Sequence, residues 1–309
     1  MPGQLKLDNK LLDGFILINK EPGCTSFDVV KKINYFSKLK AGHCGTLDPF
    51  AQGLLIIALG RATRYIEYLL NQSKEYIFDI SWGKDTDSHD LTGNIIKESE
   101  YIPNKKEIAR AMKLFLGKIK QVPPMFSAVK VSGKRAYLYA RENKHVTLKS
   151  RDVEIYSFEL INSSGNISKF KIKCSKGTYI RSIARDLCDS LGCCGHVSYL
   201  ERTDIASFSL KKALSLVDFE KKYFSGDLIG YLLPIDHVLY FLDSFNVTDI
   251  LYTRLKSGSK ILIKNLPFAK ESIIKLKFGK QFFGVAVYDG NILRPKKIFI
   301  DSLITQDKY

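Results

Sequence analysis

Gly42-His43-Cys44-Gly45-Thr46-Leu47-Asp48-Pro49-Phe50-Ala51-Gln52-Gly53 runs directly into the apolar stretch Leu54-Leu55-Ile56-Ile57-Ala58-Leu59, closed by Gly60. The apolar stretch predicts a strand buried on both faces. Before it, Gly42, Gly45 and Gly53 permit backbone shapes closed to other residues, and Pro49 restricts Asp48 to extended conformations. One carboxylate therefore stands on a turn backed by a rigid core strand, which is how catalytic groups are commonly displayed.

Outward from this turn, residues 14–19 predict a buried strand, and residues 25–39 a helix capped by Thr25 or Ser26. Tyr76, Phe78, Ile80 and Trp82 alternate with Ile77, Asp79 and Ser81, as in a half-buried strand. Asn104 as cap, Glu107 three residues on, and Ile108, Ala111, Met112, Phe115 and Leu116 at helical spacing predict a helix ending at Gly117. Phe170, Ile172 and Cys174 alternate with lysines in a further strand. Ile183, Ala184, Leu187, Cys188 and Leu191 share one face of a helix beginning at Arg181. Irregularly mixed strands and helices argue for an α+β fold around a mixed, mostly antiparallel sheet. After Pro234 the pattern changes to short strand-like runs separated by Gly258, Gly279 and Asp289-Gly290, which predicts a small β-barrel over 245–309.

The 309 residues carry 48 Lys and Arg against 32 Asp and Glu, a net charge of +16. Such an excess favours a polyanionic partner, nucleic acid first and an anionic membrane surface second. No apolar run approaches the roughly 18 residues of a membrane helix, and no signal-peptide core stands at the N-terminus. The expectation is a cytoplasmic protein that does not insert into membranes. Cysteines at 24, 44, 174, 188, 193 and 194 follow no disulfide framework and read as reduced thiols. Cys188, Cys193, Cys194 and His196 lack the spacing of a zinc site, and Cys44 reads as a spectator.

The stretch from Gly42 to Gly53 resembles the signature of the TruB family of tRNA pseudouridine synthases, Gly-His-x-Gly-x-Leu-Asp-Pro-x-Ala-x-Gly. Further blocks resemble that family in its order. They are Lys20 to Ser26, Gly83 to Gly93 with Asp85, Thr86, Asp87 and Asp90, Gln121 to Lys130, and Ser175 to Arg181. The likeness spans nearly the whole chain. It implies a catalytic domain over 1–240 with an inserted basic thumb loop at about 124–151, and a PUA-like RNA-binding domain over 245–309. It also implies isomerisation of a T-loop uridine of tRNA, position 55, to pseudouridine, without a cofactor or metal. The implied partner is the T arm and elbow of tRNA, bound by a monomer with no protein partner.

By the same resemblance Asp48 is the catalytic carboxylate, acting as nucleophile toward the sugar or base, or as a base on the ribose. Arg181 is its cationic partner, and Tyr76 lies against the target base, taking the carbon-five proton. His43 assists extrusion of the uridine, Leu200 forms a pocket wall, and Lys20 orders the loops or contacts phosphate. Tyr179 and Arg181, two apart on an extended stretch, are expected to face the same side, with Tyr179 packing under the site. Residues 130–151 carry Lys130, Lys134, Arg135, Arg141, Lys144, Lys149 and Arg151 against the single acid Glu142, with Tyr137 and Tyr139 interleaved. That composition suits a mobile basic segment that orders on RNA.

Three departures from the family pattern stand out. Cys188 replaces the glycine of Asp-Leu-Gly, Glu201 replaces the first arginine of Arg-Arg-Thr, and Ala206 replaces the glycine of Gly-x-Phe. They bear on fine RNA contacts. Two other readings compete: a tRNA-binding folding chaperone, which would need neither Asp48 nor Arg181, and a guide-RNA-dependent relative, disfavoured by the lack of basic tails.

Overall fold

A computed structural model describes residues 12–299 except 143 and 145. The first and last stretches of the two expected domains, 1–11 and 300–309, lie outside the described residues. In chain order the first half comprises β1 (Gly14–Lys20), α1 (Ser26–Ser37), β2 (Ala41–His43), β3 (Gln52–Leu59), α2 (Ile66–Leu70), β4 (Lys74–Trp82), β5 (Lys84–Thr86), β6 (Ile95–Glu98), α3 (Lys105–Met112) and β7 (Gly117–Gln121). There follow β8 (Lys130–Val131), β9 (Lys134–Arg135), α4 (Ala136–Arg141), β10 (Arg151–Ser164), β11 (Ile167–Cys174), α5 (Ile180–Leu191), β12 (Gly195–Ile205) and β13 (Phe208–Ser209). The C-terminal part holds α6 (Leu216–Ser225), α7 (Ile235–Val238), β14 (Ser244–Asn246), α8 (Asp249–Lys256), β15 (Ile261–Leu262), β16 (Ser272–Phe278), β17 (Gln281–Tyr288) and β18 (Ile292–Ile298).

A nine-stranded sheet runs β1-β3-β12-β4-β11-β10-β7, with β2 added to β3 and β13 to β12. Only the β3–β12 contact is parallel, so the sheet is mixed and mostly antiparallel, as expected. Leu54 to Leu59 on β3 are fully buried, and burial of each large aliphatic among them is worth about 1.5–3 kcal/mol. On β4, Tyr76, Phe78, Ile80 and Trp82 point into the core while Ile77, Asp79 and Ser81 stay half-exposed. That core is closed by α3 and α5, through residues such as Ile108, Ala111, Ile183, Ala184 and Leu187. On the neighbouring strands, α1 and α6 cover β1 and β3 through Val29, Val30, Ile33 and Phe219.

Thr25 caps α1, exchanging hydrogen bonds with Asp28, and Asn104 caps α3 in the same way with Glu107. The helix expected to run to Gly117 stops sooner. α3 ends at Met112, Lys113–Phe115 tighten into a 3-10 turn, and Leu116 is already extended. Gly117, at φ 81°, then opens β7. The apolar spacing used for the expectation is shared by both helix types over one turn and did not reveal the tightening.

Beyond Asp243 a second, five-stranded sheet runs β14-β16-β17-β18-β15. Its own core includes Leu255, Ile274, Leu276, Phe283 and Leu293. Val285 is buried in the same cluster as Phe15, Leu54 and Tyr65, with Ile273 and Phe282 packed against it. Lys275 and Lys277 both pair with Asp236, at 2.9 and 2.7 Å. The second sheet is thus docked on the first by apolar packing and a shared carboxylate. Among the described residues, no helix is long and apolar enough to cross a membrane.

Candidate active site

Asp48 sits in the connection between β2 and β3, and the backbone around it is held at most of its carbonyls. The buried guanidinium of Arg202 donates to Gly45 O at 3.0 Å, Thr46 O at 3.3 Å and Leu54 O at 2.8 Å. Ser26, first residue of α1, accepts from Leu47 N at 2.8 Å and donates to Leu47 O at 3.2 Å. Asp48 O accepts from Ala51 N, and Pro49 O from Gly23 N. Pro49 O also receives the ammonium of Lys20 at 3.3 Å, which donates to Glu21 O and Cys24 O at 2.9 and 2.8 Å as well. Gly53 is required where it stands: at φ 104° a Cβ would meet Arg202 O at 2.4 Å. Each buried carbonyl so satisfied avoids a desolvation cost of about 1–3 kcal/mol. The turn is therefore stiff and its carboxylate is presented in one place.

Arg181 reaches that carboxylate from the first turn of α5. Its Nε donates to Asp48 Oδ2 at 2.9 Å, Nη1 to Ser88 O at 3.2 Å and Nη2 to Phe126 O at 3.0 Å. Nη1 also lies 3.3 Å from Asp90 Oδ2. The Arg181 side chain is 3% exposed and that of Asp48 is 30% exposed, so the cation is buried while the acid keeps solvent access. A cation in the first turn opposes the helix dipole, and here two carboxylates and two carbonyls offset it. Asp90 is itself fixed, its Oδ1 accepting from Ser88 Oγ and from Thr92 N at 2.8 and 2.9 Å.

The expected shared orientation of Tyr179 and Arg181 needs correction. Tyr179 is extended but is the N-cap of α5, and Arg181 already lies in the helix, so the two-residue alternation of a strand does not apply. Tyr179 is held instead by Gln121, whose amide accepts from Tyr179 N at 2.8 Å and donates to Tyr179 O at 3.1 Å. The Tyr179 ring lies under the Arg151 guanidinium, 5.2 Å away.

Tyr76 and Leu200 are buried together with Leu47 and Ala51 in the core beside the Asp48 turn. Burial pushes the Tyr76 phenol up, with Arg202 opposing, so Tyr76 is neutral at pH 7 and offers a ring face before it offers a base. His43, at the end of β2, has a buried Nδ1 without a hydrogen-bond partner, and burial, then Arg202, holds its pKa down. The Lys20 ammonium is buried and donates to three backbone carbonyls, Glu21 O, Cys24 O and Pro49 O. Burial also lowers its pKa, with Cys24 and Asp48 opposing. Burial raises the Cys44 thiol far above the usual range, which suits a spectator. All six cysteines are free, and no group of three or more His, Cys, Asp or Glu among the described residues could hold a metal.

The basic segment is partly regular. β8 and β9 form a small hairpin followed by α4. Lys130, Arg135 and Arg141 are exposed, whereas Lys134 pairs with Glu142 and stands over the Tyr139 ring. Lys144 also pairs with Glu142, at 3.2 Å. The sequence pattern gave no role to Arg202, Asp90 or Gln121, and read Ser26 only as a candidate helix cap. Only their presence inside the motif blocks could have pointed to them.

The architecture is that of the pseudouridine synthase fold. It superposes on an archaeal box H/ACA Nop10–Cbf5 complex with a TM-score of 0.72 at 23% identity, covering 94% of this chain and 87% of that one. A Cbf5-Nop10-Gar1 complex gives 0.74 at 24% identity over 94% and 86%. Residues 31–180 match the model of the TruB family pseudouridylate synthase N-terminal domain, and residues 181–240 that of the tRNA pseudouridylate synthase B C-terminal domain. The tRNA pseudouridine synthase B of Ehrlichia chaffeensis is 36% identical over 93% of this chain and 99% of its own. That of Clostridium kluyveri is 35% identical over 94% and 100%. The chain belongs to the TruB family.

Proposed function

We propose that this protein isomerises a T-loop uridine of tRNA, position 55, to pseudouridine. The single observation that carries the reading is the Asp48–Arg181 pair, a carboxylate on a fully bonded turn held by a buried guanidinium beside an aromatic wall. The reaction breaks the bond from ribose carbon one to N1 of uracil and forms one to carbon five. The carbon-five proton is released and N1 gains a proton, so neither an oxidant nor a cofactor enters the balance.

A base inside folded RNA must leave its stack before a carboxylate can reach it, at a cost of a few kcal/mol. His43, on the rim, takes part in extrusion. Tyr76 and Leu200 form the wall against the flipped base, and Asp48 acts on the nucleotide. Tyr76, a neutral phenol, accepts the carbon-five proton only by passing its own on in the same step. The domain limits 1–240 and 245–309 are part of this reading. Residues 124–151 form the thumb, with Lys130, Lys134, Arg135 and Arg141 along the T arm. The five-stranded sheet serves as a PUA-like module contacting the rest of the tRNA. Incubation with an unmodified tRNA transcript, followed by carbodiimide mapping, should show one pseudouridine in the T loop. A transcript that stays unmodified at saturating protein would refute the proposal.

A further inference from the structure

α1 joins the catalytic turn at one end and is open to solvent along one face. Ser26 grips Leu47, next to Asp48. One residue on, Phe27 is 59% exposed, and two turns later Tyr35 is 70% exposed. Two such rings on one helix side leave adjoining apolar surface open to solvent. Lys31 stands over the Phe27 ring at 4.8 Å, and Lys38 over the Tyr35 ring at 4.6 Å. At 100° per residue, Phe27, Lys31 and Tyr35 fall within one quadrant of the helix, and Lys38, its left-handed C-cap, brings its ammonium back over the Tyr35 ring. The two rings are eight residues apart, about 12 Å along the axis at 1.5 Å per residue.

The charge of this side of the helix is mainly positive. Lys31, Lys32, Lys38 and Lys40 are all exposed, and the acid among them, Asp28, is occupied by the Thr25 cap at 3.0 and 2.6 Å. The Tyr35 ring continues edge-on to Phe36 at 5.7 Å, and Phe36 to the exposed Phe224 of α6 at 6.2 Å. Flat aromatic faces interleaved with lysines are the arrangement on which unpaired bases stack while phosphates meet cations. The stripe begins one residue after Ser26, which binds Leu47 beside Asp48, so it adjoins the Asp48 turn.

We propose that the exposed face of α1, carrying Phe27, Lys31 and Tyr35, with Lys38 at its C-cap, is a stacking platform for an unpaired RNA segment contiguous with the strand at the Asp48 turn. It rests on the reading that the cleft takes RNA, and it adds a second contact surface to that site. Bases stack on Phe27 and Tyr35, and Lys31 and Lys38 meet the adjoining phosphates.

The test uses the full chain with two probes, an unmodified tRNA transcript and a short oligouridylate. Phe27→Ala with Tyr35→Ala should weaken binding of the transcript at least about tenfold, since each stacked base contributes about 1–3 kcal/mol. Lys31→Gln with Lys38→Gln should lower the slope of log affinity against log salt by roughly 0.7 per lysine. Photocrosslinking of the oligouridylate to wild type should map to the peptide spanning Phe27 to Lys38. Unchanged affinity and slope in both double variants, or crosslinks confined to other peptides, overturns the proposal. So does loss of binding to phosphatidylserine vesicles with RNA binding intact, which would assign the face to a membrane. Failure of wild type to make pseudouridine would sink the isomerase reading alone, because neither binding nor crosslinking depends on turnover.

Discussion

Arg181 binds Asp48 and Asp90 at once, with Nε 2.9 Å from Asp48 Oδ2 and Nη1 3.3 Å from Asp90 Oδ2. The two acids differ in surroundings. Asp90 is 5% exposed and bonded on its other oxygen, while Asp48 keeps 30% of its surface open. One carboxylate thus orients the guanidinium, and the other is oriented by it.

Asp48→Asn retains shape and hydrogen bonding but removes the charge. Pseudouridine formation should vanish while tRNA affinity stays within about tenfold, or roughly 1.4 kcal/mol. Arg181→Lys loses the planar fork that serves Asp48, Asp90 and two carbonyls together, so chemistry should slow strongly and folding stability should fall. Single-turnover assays beside filter binding separate the two effects, and product from Asp48→Asn above trace would remove Asp48 from the chemistry.

Arg202→Met keeps much of the stem but leaves Gly45 O, Thr46 O and Leu54 O without their donor. A loss of about 3–5 kcal/mol in urea unfolding is expected. The Asp48 turn should loosen with it, and the single-turnover rate should drop even under conditions where the variant is fully folded. A variant as stable as wild type would show that these three bonds contribute little.

Lys74 is buried on β4, its ammonium donating to Leu70 O at 2.8 Å and Gln72 O at 2.6 Å. Burial, reinforced by Arg202, lowers its pKa to about 8. The unfolded chain holds this proton more tightly than the folded one. The penalty for burying the ammonium is therefore fully present below about pH 8, and it is relieved as pH rises toward the unfolded value near 10.4. Stability of wild type relative to Lys74→Met should rise across that window in pH-resolved denaturation. Parallel curves for the two proteins would contradict the lowered pKa.

Ala206 adopts φ 53°, in the left-handed region, at the position where the family pattern has glycine. A Cβ there costs about 1–2 kcal/mol, partly offset by the lower entropy of the unfolded alanine chain. Ala206→Gly should therefore stabilise the protein by about 0.5–1 kcal/mol. Differential scanning calorimetry would read this as a higher melting temperature, and a lower one would count against strain at this residue.

Within the basic segment, Lys134 and Lys144 share Glu142, so they are less available than the exposed Lys130, Arg135 and Arg141. Replacing these last three by Gln should weaken tRNA binding and flatten its salt dependence more than the Lys134→Gln, Lys144→Gln pair does. An equal loss of slope per cation removed in the two sets would mean that ion pairing to Glu142 does not survive in the bound state.

Local patterns foretold much of the fold. The alternation of β4, the capping residues Thr25 and Asn104, and the apolar run of β3 each depend on neighbours a few positions away, and all are found in the structure. The motif around Asp48 likewise marked the turn that Arg181 reaches and, through the family likeness, Arg181 itself. What the chain's local patterns could not reveal is how the turn is held. Arg181 and Asp48 are 133 residues apart, and Arg202 lies 148 from Leu54. Such contacts arise only when β12 inserts between β3 and β4 and carries Arg202 beneath the turn. The tightening of α3 at Lys113 and the capping role of Tyr179 were also decided only in the folded chain. Tyr179 is held by Gln121, 58 residues away, while the bonds at Lys113 and Leu116 run to Ala111, Arg110 and Lys113; no periodicity encodes either.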